Sequence, residues 1–478
     1  MGFVRAWALP ATGRGAPVSE NTYRTQNPAS GEVMEEFAQH TAQEVEQAIT
    51  RADEAAGAWA AQSVEDRAAA LQKVADLYGE REDELARAIA LEMGKPLKQA
   101  VGEVQLAASI YSWYAQNGPA LIADRELDQA EGAKRSVVRT EPVGTLLGIM
   151  PWNYPYYQVA RFAAPNILLG NTILLKHAQI CAGSARLMEQ VFTDAGLPAG
   201  VYTDLRISNE QAAEVIADPR VRGVSLTGSE RAGSAVAEQA GKHLKKVVLE
   251  LGGSDPMIVL EDAEMERVAK IAAKARMSNA GQACNSPKRI LVPNAHLDDF
   301  VATLTAGVEK QTVGDPLEEG TDIGPMSSEQ ARTGLLEQIN DAVEKGATVH
   351  TGGQAIEGDG AFVQPTVLTG ITPEMRAWSE ELFGPVAMVY GYDSVDEAVE
   401  FANSSSYGLS GSVWATDEEQ AAEVADRLEV GMAYVNEHGT TMPALPFGGV
   451  KNSGFGRELA SFGVEEFANH KLVRVASR

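Results

Sequence analysis

Gly144-Thr-Leu-Leu-Gly-Ile-Met150 is followed by Pro151-Trp-Asn-Tyr-Pro155, by a helical run from Tyr157 to Leu169, and by Thr172-Ile-Leu-Leu-Lys176. An apolar run, a turn, a helix and a second apolar run make one strand–helix–strand unit. The unit repeats. Ser184 to Ala195 reads as helix, Val201 to Ile207 as strand, and Asn209 to Ala217 as a helix capped by Ser208 or Asn209. Val221 to Thr227 is then a strand, Glu230 to His243 a helix, and Lys246-Val-Val-Leu-Glu-Leu251 a strand. Such alternation calls for a parallel sheet covered by helices, the doubly wound α/β arrangement, which binds ligands beyond the carboxyl ends of its strands. Pro151-Trp152-Asn153, Lys176, Thr227-Gly228-Ser229 and Glu250-Leu251-Gly252-Gly253 all fall at such ends.

Downstream, a second alternation runs from Asp255 to about Gly448 and predicts a second α/β domain. Its strand candidates are Met257-Ile-Val-Leu260, Ile290-Leu-Val292, Val386-Ala-Met-Val-Tyr390, Gly411-Ser-Val-Trp414 and Met432-Ala-Tyr-Val435. Upstream, residues 1 to about 40 are loop-rich with a turn at Asn27-Pro-Ala-Ser-Gly31; Thr41 to Gly94 and Leu97 to Asn117 are helical. Leu121 to Val143 breaks the rhythm as a polar, charged, extended excursion. The tail carries Leu472-Val-Arg-Val475, a strand with no partner near it in sequence. It pairs either with the excursion or with the edge of another subunit.

A chain of 478 residues divides into two or three domains. A formal net charge of -26 argues against nucleic acid and anionic membrane as partners, since both are polyanions. Two cysteines form no disulfide framework and point to a reducing compartment, so the chain is read as cytoplasmic. Met1 to Glu20 carries Arg5 and Arg14, and its short apolar run is broken by Pro10, which does not fit a secretory leader. No stretch is long and apolar enough to span a bilayer.

One cysteine stands in an unusual place. Ser278-Asn-Ala-Gly-Gln-Ala-Cys-Asn-Ser-Pro-Lys-Arg289 follows a helical pattern from Glu264 to Met277, with Asp262 as its candidate cap, and precedes the strand run from Ile290. Cys284 therefore lies at a helix-to-strand junction among small and polar residues, where sulfur can meet a small molecule. The competing reading is a small packed thiol. Glu250, 34 residues earlier, suits a general base that moves or activates water better than a resting partner of a thiolate. Gly228-Ser-Glu-Arg-Ala-Gly233 opens a helix after a strand and suits a pyrophosphate, but it is not the full G-x-G-x-x-G fingerprint. No metal-ligand spacing is present.

Together these pieces resemble the aldehyde dehydrogenase superfamily. The matching motifs are Pro151-Trp-Asn-Tyr-Pro155, Lys176, Thr227-Gly-Ser229, Leu249-Glu-Leu-Gly-Gly253, Gly281-Gln-Ala-Cys284, Glu380-Glu-Leu-Phe-Gly-Pro385, Tyr407-Gly-Leu409 and Pro446-Phe-Gly-Gly-Val-Lys-Asn-Ser-Gly454, in the family's order. The resemblance implies an aldehyde dehydrogenase-like fold: a Rossmann-like cofactor domain (residues 1–120 and 143–250), an α/β catalytic domain (251–448) and a β oligomerisation arm (121–142 and 449–478). It implies oxidation of an aldehyde to a carboxylic acid through a cysteine thiohemiacetal and thioester. Cys284 is then the nucleophile, the side chain of Asn153 and the N–H of Cys284 receive the oxyanion, and Glu250 activates the hydrolytic water. Glu381 and Phe383 match positions at the nicotinamide ribose and ring. Pro151, Trp152, Lys176, Thr227, Gly228, Ser229, Leu251 and Gly252 match positions around the rest of the cofactor.

Departures and neighbours refine this reading. Gln179 stands where NAD-preferring relatives often carry Glu. Without that carboxylate nothing repels a 2′-phosphate, and Lys176 attracts it, so NADP is accepted, with NAD also possible. Arg161 looks like the arginine that succinate-semialdehyde dehydrogenases place against the substrate's far carboxylate, and Lys176-His177-Ala178 resembles one bacterial branch of them. Tyr154, Tyr157, Thr440 and Thr441 complete the expected substrate mouth. Ser286 replaces the second cysteine of redox-switched relatives. Succinic semialdehyde is the expected substrate; the alternative is a broad-specificity enzyme or one for another semialdehyde. Paired arms imply a homodimer or homotetramer.

Overall fold

The helix Pro155–Leu169 is buried along its whole length and is the hub of the first domain. It opens with proline at its first turn, where a missing N–H costs nothing, and ends at Gly170 in the left-handed conformation. No side chain of its own caps it. The Glu103 carboxylate does so from another helix, Leu97–Leu121, accepting from the N–H of Tyr156 (2.9 Å) and Tyr157 (3.3 Å). A core of Leu71, Val104, Tyr111, Tyr156, Leu168 and Leu175 joins this helix to the outer helices and the sheet.

A computed structural model describes residues 22–127 and 132–477; the first twenty residues read above lie outside it. It has two large sheets. In the first, the strands run Gly454–Phe455, Lys246–Glu250, Val221–Thr227, Thr145–Met150, Thr172–His177, Tyr202–Asp204. All neighbours are parallel except Gly454–Phe455. Strand order reverses between Thr145–Met150 and Val221–Thr227, which opens a crevice at their carboxyl ends, beside Pro151 and Gly228.

The second sheet runs Thr348–Thr351, Thr366–Thr369, Val386–Tyr392, Pro287–Pro293, Asp255–Val259, Ser410–Trp414, Met432–Val435, antiparallel only at its first pair. It presents the amino ends of Asp255–Val259 and Pro287–Pro293 to the crevice, so Gly253 and Cys284 meet backbone to backbone. The third sheet is the arm. Ala468–Ala476 pairs antiparallel with Ala133–Pro142, so the tail partners the excursion within the same chain. Its outer strand leaves Leu472 and Val475 exposed.

Three expectations change. Residues 449–467, grouped with the arm, lie outside its sheet: Val450–Lys451 pairs with Tyr407–Gly408 of the second lobe, Gly454–Phe455 extends the first sheet, and Ser453 Oγ donates to Gly252 O (2.7 Å). Two-residue pairings in a glycine-rich run carry no strand signal. Asp262 does not cap the helix Met265–Met277; Glu264 occupies that position without a side-chain bond, and the Asp262 carboxylate accepts from Thr416 N (3.0 Å) and Asp417 N (2.7 Å). The loop-rich N-terminal segment contains a hairpin, Thr22–Gln26 with Val33–Ala38, whose tip is the Asn27–Gly31 turn. Its charged alternation hid it.

Asn171, fully buried, joins the arm to the sheet. Its Oδ1 accepts from Val143 N (2.8 Å) and Gly144 N (2.9 Å), and its Nδ2 donates to Asn166 Oδ1 (3.0 Å) and Phe467 O (3.1 Å). Asn171→Ala orphans this set and is expected to cost about 2–4 kcal/mol. Thermal denaturation reads it as a drop of several degrees, and an unchanged curve denies the network that role.

Candidate active site

The nucleophile loop begins where the helix Met265–Met277 stops. Asn279 (φ 53°), Ala280 (φ 52°) and Gly281 (φ 69°) are consecutively left-handed. For the two non-glycine residues this costs about 1–3 kcal/mol each, so the surroundings must over-determine the turn. Fully buried Arg276 does so from one side, donating to the carbonyls of Val386 (2.7 Å), Leu382 (2.8 Å) and Gly281 (3.0 Å) and to Ser286 Oγ (3.0 Å). Gln99 accepts from Asn279 N (2.7 Å) on the other, and Gln282 Oε1 accepts from Ser327 N (2.9 Å). The result is a partly exposed Cys284 on the wall of a cleft.

Asn153, 4% exposed, lines the same cleft. Its Oδ1 accepts from Gln158 Nε2 (3.1 Å) and its Nδ2 donates to Gln282 O (3.0 Å), which leaves one amide N–H for the cleft. Its backbone carbonyl accepts from Lys95 Nζ (2.8 Å) and Asn279 Nδ2 (3.0 Å). Lys95 is ion-paired with Glu103, both buried, and lies 3.6 Å over the Tyr154 ring. The same Glu103 caps the helix that follows Asn153. One buried ion pair thus fixes both ends of the Asn153 corner.

Glu250 ends the strand Lys246–Glu250, 2% exposed, and neither carboxyl oxygen has a hydrogen-bond partner. Oε1 points toward Gly448, 2.7 Å from where a β-carbon there would lie. Glu250 does not line the Cys284 cleft in this arrangement. Burial raises its carboxyl well above the ordinary value; Arg161 works against the shift and Glu458 adds to it. Burial also pushes the Cys284 thiol up to about 12, opposed by Lys288 and Arg161. Burial thus disfavours the charged form of both groups, which opposes a standing thiolate–carboxylate pair at rest.

Arg161 is neither a solvated helix arginine nor an open clamp. It is 1% exposed, ion-paired with Glu458, and absent from the cleft wall. Nη1 donates to Tyr157 Oη (3.1 Å), Nη2 to Thr227 Oγ1 (3.3 Å), and the guanidinium lies 4.1 Å from the Phe447 ring centre. Burial works against its charge and is the largest single influence, but Glu458 together with Tyr157, Glu250 and Cys284 outweighs it and holds the guanidinium above its ordinary value. The fully buried environment of its helix explains the difference. Tyr154 and Tyr157 pack edge to face at 6.0 Å, and Tyr157 meets the Thr441 hydroxyl. Thr440 does not join them: its hydroxyl pairs with Glu437 and its carbonyl accepts from Tyr434 Oη (3.0 Å).

The cleft, about 300 Å³, is walled by Pro151, Trp152, Thr227, Gly228 and Ser229 on one side. Leu251, Gly252, Glu381 and Phe383 close the other, with Phe383 edge-on to Trp152 at 5.7 Å. Ser229 caps the helix Glu230–Lys242, so free N–H groups lie at the cleft's rim. A second cavity of about 540 Å³ lies between that helix and Asn209–Ala217, lined by Lys176, Ile216, Leu226, Arg231 and Val236. Burial lowers the Lys176 ammonium, and among the described residues it has no hydrogen-bond or ion-pair partner. An unpaired cation beside an apolar slot fits an adenosine bearing an anionic group. Gln179 is exposed in the turn Gln179–Cys181 and lines neither cavity. Sequence reading missed Gln158, Arg231, Lys95, Glu103 and Lys288. Only Lys288 carried a signal, a cation within the nucleophile stretch.

Lys95→Met leaves Glu103 as an uncompensated buried carboxylate and is expected to cost about 3–5 kcal/mol. Lys95→Met with Glu103→Gln should lose much less than the sum of the single changes. Unfolding curves of the three variants check the coupling, and additive losses exclude it.

Residues 16–473 match the model of the aldehyde dehydrogenase family. A protein of Deinococcus radiodurans named succinate-semialdehyde dehydrogenase [NADP(+)] is 51% identical over 466 residues, 98% of this chain and 97% of that one. An Escherichia coli K12 protein named succinate semialdehyde dehydrogenase [NAD(P)+] Sad is 42% identical over 448 residues, 94% and 96%. The crystal structure of succinic semialdehyde dehydrogenase from Streptococcus pyogenes in complex with NADP+ superposes with a TM-score of 0.93 at 40% identity, covering 95% of this chain and 100% of that one. With the cysteine, amide and crevice placed as described, the chain belongs to the aldehyde dehydrogenase family.

Proposed function

We propose that the protein oxidises succinic semialdehyde to succinate with NADP, and with NAD as a second acceptor. The observation that carries the reaction is that Cys284 and Asn153 line one cleft at the strand-order switch, with Asn153 Nδ2 bonded to Gln282 O in the nucleophile loop. The 51% identical relative's name carries the substrate and cofactor, and the unpaired Lys176 agrees with a 2′-phosphate.

Cys284 Sγ, as thiolate, attacks the aldehyde carbon. The free Asn153 amide N–H and the Cys284 N–H receive the oxygen, each donor of this kind being worth roughly 10²–10³ in rate. When bound, the nicotinamide supplies the acceptor for the departing hydride, and Cys284 is left acylated as a thioester. Lys176 and Arg231 would hold the adenosine end, and Glu381 and Phe383 the nicotinamide ribose and ring. Glu250 then turns from the space beside Gly448 toward Cys284 and takes a proton from water, which displaces sulfur and releases the acid. Only the ionised carboxyl can do this, and its affinity for protons is raised by burial. Hydrolysis should therefore rise with pH through that raised value. In stopped flow, Glu250→Gln should keep a burst of reduced cofactor while turnover falls about 10²-fold or more, with the pH limb gone. A burst followed by undiminished turnover denies Glu250 its role.

Arg161 in this reading meets the far carboxylate through Nη1 and Nη2. Their present partners are neutral hydroxyls, weaker acceptors than a carboxylate, whereas the Glu458 side stays committed. Arg161→Ala should raise KM for succinic semialdehyde about tenfold more than KM for an uncharged aldehyde. Equal changes remove the carboxylate assignment. A steady-state survey of aldehydes against NADP and NAD tests the whole reading. A kcat/KM for NAD about a hundredfold above that for NADP overturns the cofactor assignment, and a preference for uncharged aldehydes overturns the substrate.

The arm's exposed strand suits pairing with a second copy, so a homodimer or a dimer of dimers is the proposed assembly. Two free thiols suit the cytoplasm. Among the described residues no helix is long and apolar enough to cross a membrane.

A further inference from the structure

Lys288 begins the strand Pro287–Pro293 with none of its surface exposed. Its ammonium has three acceptors: the carbonyl oxygens of Ala283 (2.7 Å) and Cys284 (2.8 Å), and Glu381 Oε1 (3.0 Å). Those three take all the protons it has to give. The Ala283 carbonyl belongs to the peptide whose N–H is that of Cys284. A cation on one end of a peptide polarises the other, so the Cys284 N–H becomes a stronger donor toward a developing oxyanion.

The same charge bears on the sulfur. The charged groups that act on Cys284 are Lys288 and Arg161 on the positive side and Glu381 and Asp255 on the negative; Tyr154 and Tyr157, whose phenols burial raises, lie within its electrostatic reach. Arg161 is already balanced by Glu458, whereas Lys288 shares its charge between Glu381 and two carbonyls of the nucleophile loop. A buried ammonium pays a desolvation penalty that a methionine of similar length would avoid. That penalty is explained if the charge serves the sulfur beside it.

We propose that Lys288 is a positioning residue: it fixes the Ala283–Cys284 peptide as an oxyanion donor and provides the positive field for the Cys284 thiolate, with Glu381 as its counter-ion. The proposal rests on Cys284 being the nucleophile, and its test requires no turnover.

The readout is alkylation of Cys284 by iodoacetamide in the full-length enzyme without cofactor, in which the thiolate displaces iodide, followed by peptide mass spectrometry across pH. Cys181, fully buried, is the internal control. Lys288→Met is expected to shift the line of log rate against pH to higher pH by one unit or more, about tenfold in rate at a given pH. Lys288→Arg keeps the charge and should stay within about threefold of the wild type. Glu381→Gln removes the counter-ion and should shift the line the opposite way. A merely loosened loop would expose the sulfur and move both variants toward faster reaction. An unshifted Lys288→Met line, or shifts of the same sign in Lys288→Met and Glu381→Gln, overturns the proposal. If Lys288→Met does not fold, Lys288→Gln takes its place under the same criteria, and slower or unchanged alkylation in Glu381→Gln overturns the proposal in either case. A wild-type Cys284 that reacts no faster than Cys181 at any pH overturns the nucleophile reading and this proposal with it, whereas normal wild-type reactivity with unshifted variants overturns this proposal alone.

Discussion

The carbonyl oxygen of Asn153 takes two hydrogen bonds, one from Lys95 of the first domain and one from Asn279 of the second. It is the point where the two lobes are held in register. Each donor is itself held: Lys95 by Glu103, and Asn279 by the turn that carries Cys284. Chemistry needs the amide and the sulfur placed to a fraction of an ångström, yet they come from different sheets. The polar network at this oxygen lets residues of two separate sheets meet that tolerance.

The same site is crowded with buried charge. Lys95, Glu103, Arg161, Glu458, Glu250, Arg276 and Lys288 are all nearly or fully sealed from water. Most are paired or bonded to carbonyls, so their desolvation is largely offset. Glu250 is the exception, with both oxygens unpartnered. That is poor for stability and suitable for function, because a group with no bonds to break can turn without a large barrier. The space it occupies exists because residue 448 is glycine, whose missing β-carbon would otherwise stand beside Oε1.

Much of this was legible in the sequence where chemistry depends on local pattern. Alternating strands and helices gave the doubly wound sheet, and the motifs at strand ends, with the helix-to-strand junction at Cys284, named residues that line one cleft. What was hidden depends on distant parts of the chain. Lys95 lies in the short link between two outer helices, Glu82–Met93 and Leu97–Leu121, and Glu103 on the second of them, and nothing local says that they reach Asn153. Arg161 was legible as a residue but not in its setting, since Glu458 comes from the far end of the chain. Of the two threonines, only geometry could tell that Thr440 turns to Glu437 while Thr441 meets Tyr157. Pairings as short as Gly454–Phe455 leave no periodic trace.

The surroundings of the two sulfurs have a consequence for the enzyme under peroxide. Cys181 is fully buried beside the Trp152 carbonyl, and Ser286 stands two residues beyond Cys284. A sulfenic acid formed on Cys284 thus has a serine rather than a thiol two residues on, and the chain's other thiol is sealed from solvent. Its routes are capture by an outside thiol such as glutathione or further oxidation to the sulfinic state, from which most proteins do not return.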